Sequence, residues 1–323
     1  MSASVGGAGF EQTSYRPRFR AGFLAPRYWG VWLGAALVWL LALLPWRLRE
    51  ALAVPLGDLA RRLGRKRREI ARVNLGLCYP HLSASQRERM LRDHFRCRMR
   101  AVLDYGILWW GSERRLRRLI TIVGEQHFRE HHDRGRAIIV LVPHSLMLDF
   151  GAAILGIHFS GLAVVKEARN PLADWLLQRA RQRFKGRVCT RAQGLRPILR
   201  GMRGGAFFHY SPDEDLGTRD AVFAPFFGVP AATLSTLGRL ATLTDAVVLP
   251  GYTRYVPGTG RYEQHLFPAL SDFPTGDPQR DAARMNEEVE KLIALAPAQY
   301  LWTMRRFRTR PDGGRNAYYE AGV

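Results

Sequence analysis

The run AIIVLVPHSLMLDF, Ala137 to Phe150, decides how the fold is read. AIIVLV is a short, β-rich apolar block that reads as a buried strand, and Pro143 interrupts its hydrogen-bond ladder. His144 then stands at the C-terminal end of the strand, and a helix begins within SLMLDF, with Asp149 in or near its first turn. Residues five apart diverge by roughly 140° on a helix and lie on opposite faces of a strand, so a turn must separate the imidazole from the carboxylate.

Outward from this unit the pattern alternates. Further β-rich runs are read at Leu162 to Val165, Arg187 to Thr190, Ala206 to Tyr210 and Ala246 to Leu249. Helix-period segments are read at Leu148 to Ile157, Pro171 to Phe184, Leu195 to Met202 and Pro278 to Leu295. Such alternation predicts an α/β fold with one largely parallel sheet flanked by helices on both faces. No internal repeat is evident.

The 323 residues carry 49 Lys and Arg against 28 Asp and Glu, a net charge of +21. An anionic partner follows, whether nucleic acid, anionic lipid, phosphorylated substrate or acidic carrier protein. Lysine occurs only at Lys66, Lys166, Lys185 and Lys291, so nearly all the cations are guanidinium groups suited to bidentate recognition of phosphate or carboxylate. Cys78, Cys97 and Cys189 are odd in number and scattered, which fits a reduced, cytosol-facing body.

Three regions are expected. Residues 1–27 read as a flexible basic tail. Residues 28–46, YWGVWLGAALVWLLALLPW, are uncharged and as one helix would extend about 28 Å, close to a hydrocarbon core of ~30 Å. A signal peptide is the competing reading because of Ala51-Leu-Ala53, but Arg47, Arg49 and Glu50 separate that triplet from the apolar run. An uncleaved anchor is expected, with the arginines that follow it placing residues 47–323 in the cytoplasm. After the anchor a basic amphipathic stretch runs to Pro80, and Ser83 or Ser85 caps a long helix ending near Gly111.

Strand ends of α/β sheets are where sites form. There Asp149 would accept a hydrogen bond from one imidazole nitrogen of His144, while the other takes a proton from a hydroxyl. For the isolated spacing alone, a satisfied core histidine and a helix-start aspartate is the commoner reading. The ordered stretches RPRF, KRREIARVNLGLCYPHLS with RERM, HSLMLDFG, SPDEDLG, VFAPFFGV and APAQYLWTMRRFRTRP settle the matter differently. Together they resemble the late acyltransferases of lipid A biosynthesis, the lauroyl and myristoyl transferases of Gram-negative inner membranes, along nearly the whole chain.

That resemblance implies a glycerolipid-acyltransferase-like αβα sandwich and transfer of a fatty acyl group from acyl carrier protein to a hydroxyl of a 3-hydroxyacyl chain on a Kdo-bearing, phosphorylated lipid A precursor. His144 and Asp149 coincide with the family's H-x-x-x-x-D/E dyad. A thioester is already activated, and no G-x-S-x-G elbow suggests a covalent nucleophile. Asp213 and Asp215 match a P-D-x-D motif, with Asp213 expected to organise the pocket by pairing with an arginine. Lys166, Arg169, Arg191 and Arg196 are expected phosphate or oxyanion contacts after the second and third strands, and Asn170 matches the family as well. Arg305 and Arg306, in the aromatic and basic stretch YLWTMRRFRTRP, are expected at substrate phosphate or membrane. That interleaving also suits single-stranded nucleic acid, but no nucleic acid partner is expected. Neither metal nor cofactor is expected beyond the carrier-protein thioester as donor. The competing functions are an acyltransferase for glycerolipid or glycosylated phosphatidylinositol, and a basic membrane-tethered module without chemistry.

Overall fold

The computed structural model describes residues 14–314 together with 318 and 319. Its elements run α1 (Trp29–Leu43), α2 (Trp46–Leu63), α3 (Arg65–Cys78), α4 (Ala84–Trp110), α5 (Glu113–Leu119), β1 (Ile120–Val123), α6 (Glu125–His132), β2 (Ile138–Leu141), α7 (Leu148–His158), β3 (Gly161–Val165), α8 (Pro171–Arg181) and β4 (Gly186–Thr190). There follow α9 (Arg196–Arg203), β5 (Phe207–Tyr210), β6 (Ala221–Phe226), β7 (Val229–Leu234), α10 (Thr236–Thr244), β8 (Val247–Val256), β9 (Arg261–Leu266) and α11 (Pro278–Ala294).

Seven strands form one sheet in the order β1-β9-β8-β2-β5-β3-β4, parallel throughout except where β8 meets β9. The apolar block at Ile138 therefore lies in the interior of the sheet, between β8 and β5. Its side chains alternate between two packed faces, as a parallel strand covered on both sides requires. Ile139 and Leu141 join Phe208, Val248, Ile198 of α9 and Met285 of α11, whereas Ile138 and Val140 join Phe128 of α6 and Leu155 of α7. The alternating pattern of the sequence thus yields the expected layers. Strands β1 and β9 and the separate antiparallel hairpin β6-β7 have no counterpart in that reading; β6 is interrupted by Pro225 and β9 by charged and polar residues.

Long helix α4, about 40 Å by its 27 residues, begins where Ser83 accepts from the Gln86 N–H and the Gln86 side chain accepts from the Ser83 N–H. The apolar N-terminal segment differs from the expected single helix over 28–46. It is helical only from Trp29 to Leu43, because Leu44 turns extended ahead of Pro45, and α2 starts afresh at Trp46. Pro26 to Leu43 is long and apolar enough to cross a membrane, with Leu33, Leu37, Leu40 and Leu43 exposed. Its other side packs on α4, where a side chain at Gly106 would strike the Val38 carbonyl and meet Ala42 Cβ at 2.7 Å.

Of the expected tail, residues 1–13 lie outside the described residues. Over 14–27 the chain is docked: the Tyr15 N–H donates to Val188 O at 2.8 Å, and Tyr15 Oη donates to Asp174 Oδ2 at 2.6 Å.

Candidate active site

Register brings the central pair together. Leu141 of β2 lies level with Tyr210 of β5, and the next N–H, that of Val142, donates to Tyr210 O at 2.9 Å. Three residues beyond each of these level positions stand His144 and Asp213. His144 Nδ1 meets Asp213 Oδ1 at 2.7 Å, and the His144 N–H donates to Asp213 Oδ2 at 2.8 Å. A carboxylate offers only acceptors, so Nδ1 carries a proton, and in the neutral ring Nε2 presents its lone pair. Among the described residues no hydrogen bond occupies Nε2.

The electrostatics match the geometry. Burial pulls the imidazole toward neutrality, but the charge and hydrogen bond of Asp213 outweigh it and hold His144 above the ordinary histidine value. Burial of Asp213, only 1% exposed, raises its carboxyl, yet the His144 charge and the two bonds from His144 bring it below the ordinary range.

The loop bearing His144 is clasped by the C-terminal segment. The Leu146 N–H donates to Gln299 O at 2.8 Å, and the Leu301 N–H donates to His144 O at 2.9 Å. Gln299 is itself pinned through its side chain to both backbone groups of Tyr255 on β8. The His144 loop is thereby fixed to the sheet from two sides.

Asp149 does not pair with His144 as expected. It sits in the first turn of α7, where its carboxylate accepts from Arg181 Nε at 3.0 Å, Arg181 Nη2 at 3.3 Å and Tyr105 Oη at 3.0 Å. The turn between Pro143 and Leu148 aims it at α8 and α4, whereas His144 faces the loop after β5. Burial raises its carboxyl, but the Arg181 guanidinium wins and keeps it below the ordinary range. Between the two pairs lies His209 of β5, 8% exposed, with Nε2 buried and unpartnered. Burial pushes that imidazole down to about 4, with Asp149, His144 and Arg181 as its charged neighbours.

Comparison with known proteins adds the family. The sequence model of the bacterial lipid A biosynthesis acyltransferases matches residues 16–309. The chain is 37% identical to a lipid A biosynthesis acyltransferase of Haemophilus influenzae, over 94% of this chain and 95% of that one. It is 35% identical to the lipid A biosynthesis lauroyltransferase of Escherichia coli K12, over 94% and 99%, and 32% identical to the myristoyltransferase of the same organism, over 95% of each. The chain belongs to the bacterial lipid A biosynthesis acyltransferases.

Within this acyltransferase the other expected residues divide by their bonds. Asp213 pairs with histidine rather than arginine. Asp215 is buried and accepts from the Thr309 N–H at 2.6 Å, Thr309 Oγ1 at 2.8 Å and the Gly217 N–H at 3.0 Å, so it ties the C-terminal segment to the SPDED loop. Arg306, 2% exposed, donates to Ala232 O at 2.7 Å, Thr233 Oγ1 at 3.1 Å and Asn286 Oδ1 at 3.3 Å, so its guanidinium is engaged by groups of β7 and α11. Asn170 caps α8, accepting from the Leu172 and Ala173 N–H groups at 3.0 and 3.1 Å. Arg305 is half-buried over the Tyr319 ring. Lys166, Arg169 and Arg196 are exposed at the strand ends, while Arg191 pairs with Glu214, one residue from Asp213. No cluster of His, Cys, Asp and Glu able to hold a metal occurs among the described residues.

Arg181, Tyr105 and His209 escape the sequence reading. A faint signal exists for the first: Asp174, Gln178 and Arg181 repeat a polar side chain at i, i+4 and i+7 of an otherwise amphipathic helix. A tyrosine within a 27-residue helix, or a histidine in a buried strand, carries no such mark.

Proposed function

We propose that this acyltransferase moves a fatty acyl chain from acyl carrier protein to the hydroxyl of a 3-hydroxyacyl chain on a Kdo-bearing lipid A precursor. The observation that carries the reading is the His144–Asp213 pair, a protonated Nδ1 held on a buried carboxylate with Nε2 left to take a proton. His144 Nε2 removes the acceptor hydroxyl's proton as the oxygen attacks the thioester carbonyl. Asp213 stabilises the resulting imidazolium. The tetrahedral adduct then expels the carrier-protein thiolate, which takes that proton from Nε2. No covalent acyl-enzyme is required. Asp149 and Arg181 form the second, positioning pair, and an apolar groove is expected for the acyl chain, since each buried CH₂ gains about 0.8 kcal/mol.

The setting is the cytoplasmic surface of the bacterial inner membrane. The apolar face of α1, continued by exposed Leu56, Leu59 and Leu63 of α2, suits contact with lipid tails, and Arg65, Lys66, Arg67 and Arg68 at the start of α3 suit anionic headgroups and an acidic carrier protein. The full-length protein is tested with acyl carrier protein thioester and the Kdo-bearing precursor, product being read by mass spectrometry. The expected result is one added acyl chain in ester linkage to a 3-hydroxyacyl group, abolished by His144→Ala with the fold retained. Acylation of a glycerolipid instead, or activity surviving His144→Ala, overturns the reading.

A further inference from the structure

The chain on either side of α1 is bound to one and the same body. Before the helix, the Tyr15 N–H and Oη donate to Val188 O of β4 and to Asp174 of α8, and Gln182 Nε2 donates to Tyr15 O at 2.9 Å. At its end and beyond, Arg115 Nη2 of α5 donates to Ala42 O at 2.6 Å and Arg100 Nη1 of α4 donates to Trp46 O at 2.9 Å. Arg49 is then buried in an ion pair with Asp104 of α4. Between these anchors α1 packs along its length. Ala35, with Val31 and Trp32 beside it, closes a cluster with Leu172 and Leu176 of α8, and Ala42 joins Ala101 and Ile107 of α4.

A helix that spans a bilayer puts the segments before and after it on opposite sides of a hydrocarbon core ~30 Å thick. Here both segments hold the same α/β body, and α1, about 22 Å by its 15 residues, is shorter than that core. Crossing would strip Tyr15 from β4 and uncover Leu172 and Leu176. Helical periodicity also divides α1 into two faces. Val31, Ala35, Val38 and Ala42 are buried or half-buried, while Trp29, Leu33, Leu37 and Leu40 lie exposed on the opposite side. Leu56, Leu59 and Leu63 of α2 add further exposed apolar side chains. Exposed Arg18, Arg20, Arg27 and Arg47 flank α1, and no Asp or Glu occurs in the sequence between Tyr15 and Arg49. One apolar stripe flanked by guanidinium groups suits an anionic leaflet met side-on.

We propose that α1 does not cross the membrane but lies in its plane, sunk side-on into one leaflet of anionic lipid, with the segment before it on the same side as the catalytic body. The proposal rests on the reading above that the protein works at a membrane, and it is independent of the acyl-transfer chemistry. It also has a consequence for the site. The helices on which α1 rests, α4 and α8, supply Tyr105 and Arg181 to Asp149, so the reaction centre stands beside the leaflet that would hold a lipid acceptor.

Two single variants of the full-length protein test the topology. Arg18→Cys places a thiol before α1 and Arg134→Cys one on the body, both at exposed positions, so the fold should survive. Each is treated with a membrane-impermeant maleimide in inside-out and in right-side-out inner-membrane vesicles, with wild type giving the background of Cys78, Cys97 and Cys189. Both thiols should react in the same vesicle orientation and be protected in the other. Reaction from opposite sides shows that α1 crosses and overturns the proposal, while the proposed chemistry stands. Nitroxides attached singly through Trp29→Cys, Leu33→Cys, Leu37→Cys and Leu40→Cys, in vesicles of phosphatidylethanolamine and phosphatidylglycerol, should report one shared depth. A depth that changes steadily along the helix, by about 1.5 Å per residue, overturns it. Disulfide-linked pairs of chains through Leu37→Cys would assign the face to a second copy and overturn it too. Wild-type protein that fails to float with these vesicles removes the membrane setting itself, and the proposal with it.

Discussion

His144 is held by a carboxylate 69 residues away, and the exchange of Asp149 for Asp213 as its partner changes what each variant should do. Asp213→Asn removes the charge that stabilises the imidazolium, and kcat should fall roughly 10²- to 10⁴-fold, the range of general-base catalysis. The same change has a pH signature. Wild-type activity should rise with pH as His144 loses its proton at its raised pKa; without the Asp213 charge, burial dominates and the rise should move to lower pH. A pH–rate profile that keeps its inflection in Asp213→Asn would remove Asp213 from the mechanism. Asp149→Asn should instead cost stability, about 1.5–3 kcal/mol for charged hydrogen bonds to Arg181. Because the folded pKa of Asp149 is depressed, that contribution is complete above the ordinary aspartate value and is lost as pH falls through the folded one. Denaturation of variant and wild type should therefore differ at neutral pH and converge in acid.

At the scale of elements, close seats position the helices that carry these groups. Gly151 lies two residues after Asp149, and a Cβ there would strike Gln264 Oε1 of β9 and Thr253 Oγ1 of β8. Those two groups are hydrogen-bonded to each other and buried, so they have little room to yield. Gly151→Ala should destabilise by about 1–3 kcal/mol through overpacking, and should lower kcat as well, since the start of α7 lifts with Asp149 on it. Chemical denaturation together with kcat reads both effects. The C-terminal segment acts similarly from the other side: Asn74 of α3 donates to Trp302 O and Met304 O, each at 2.7 Å, while Arg306 fastens the same segment to β7 and α11. Arg306→Met keeps the apolar stem but leaves Ala232 O, Thr233 and Asn286 short of their donor. It should lower stability by about 1–3 kcal/mol while leaving the substrate KM values unchanged in the folded fraction, contrary to a substrate-binding role.

For the whole molecule the net charge of +21 and the exposed apolar face of α1 act together. On the proposed function, apolar contact with lipid would be insensitive to salt, whereas attraction of an acidic carrier protein would be screened beyond a Debye length of about 10 Å at 0.1 M. Raising ionic strength should therefore raise the KM for the carrier-protein donor with little change in kcat, while membrane retention in flotation persists. A donor KM indifferent to salt would place the carrier protein away from the basic surface.

Much of this molecule is local in origin. The strand at Ile138, the four expected helices after it, the Ser83 cap and the placement of His144 at a strand end follow from periodicity, branched side chains and proline, all of which act within a few residues. The break at Leu44 and Pro45 was equally legible in principle, since Pro45 lacks a helical donor and restricts its predecessor. What the chain's linear order could not convey is who meets whom. Asp213 reaches His144 because β2 and β5 pair in one register, and Asp149 turns to Arg181 because α8 passes beside α7. Asp215, Asn170 and Arg306 look like binding residues in sequence and are spent on backbone groups in space. Hydrogen-bond partners separated by tens of residues are set by strand order and helix packing, and no spacing rule within a segment encodes them.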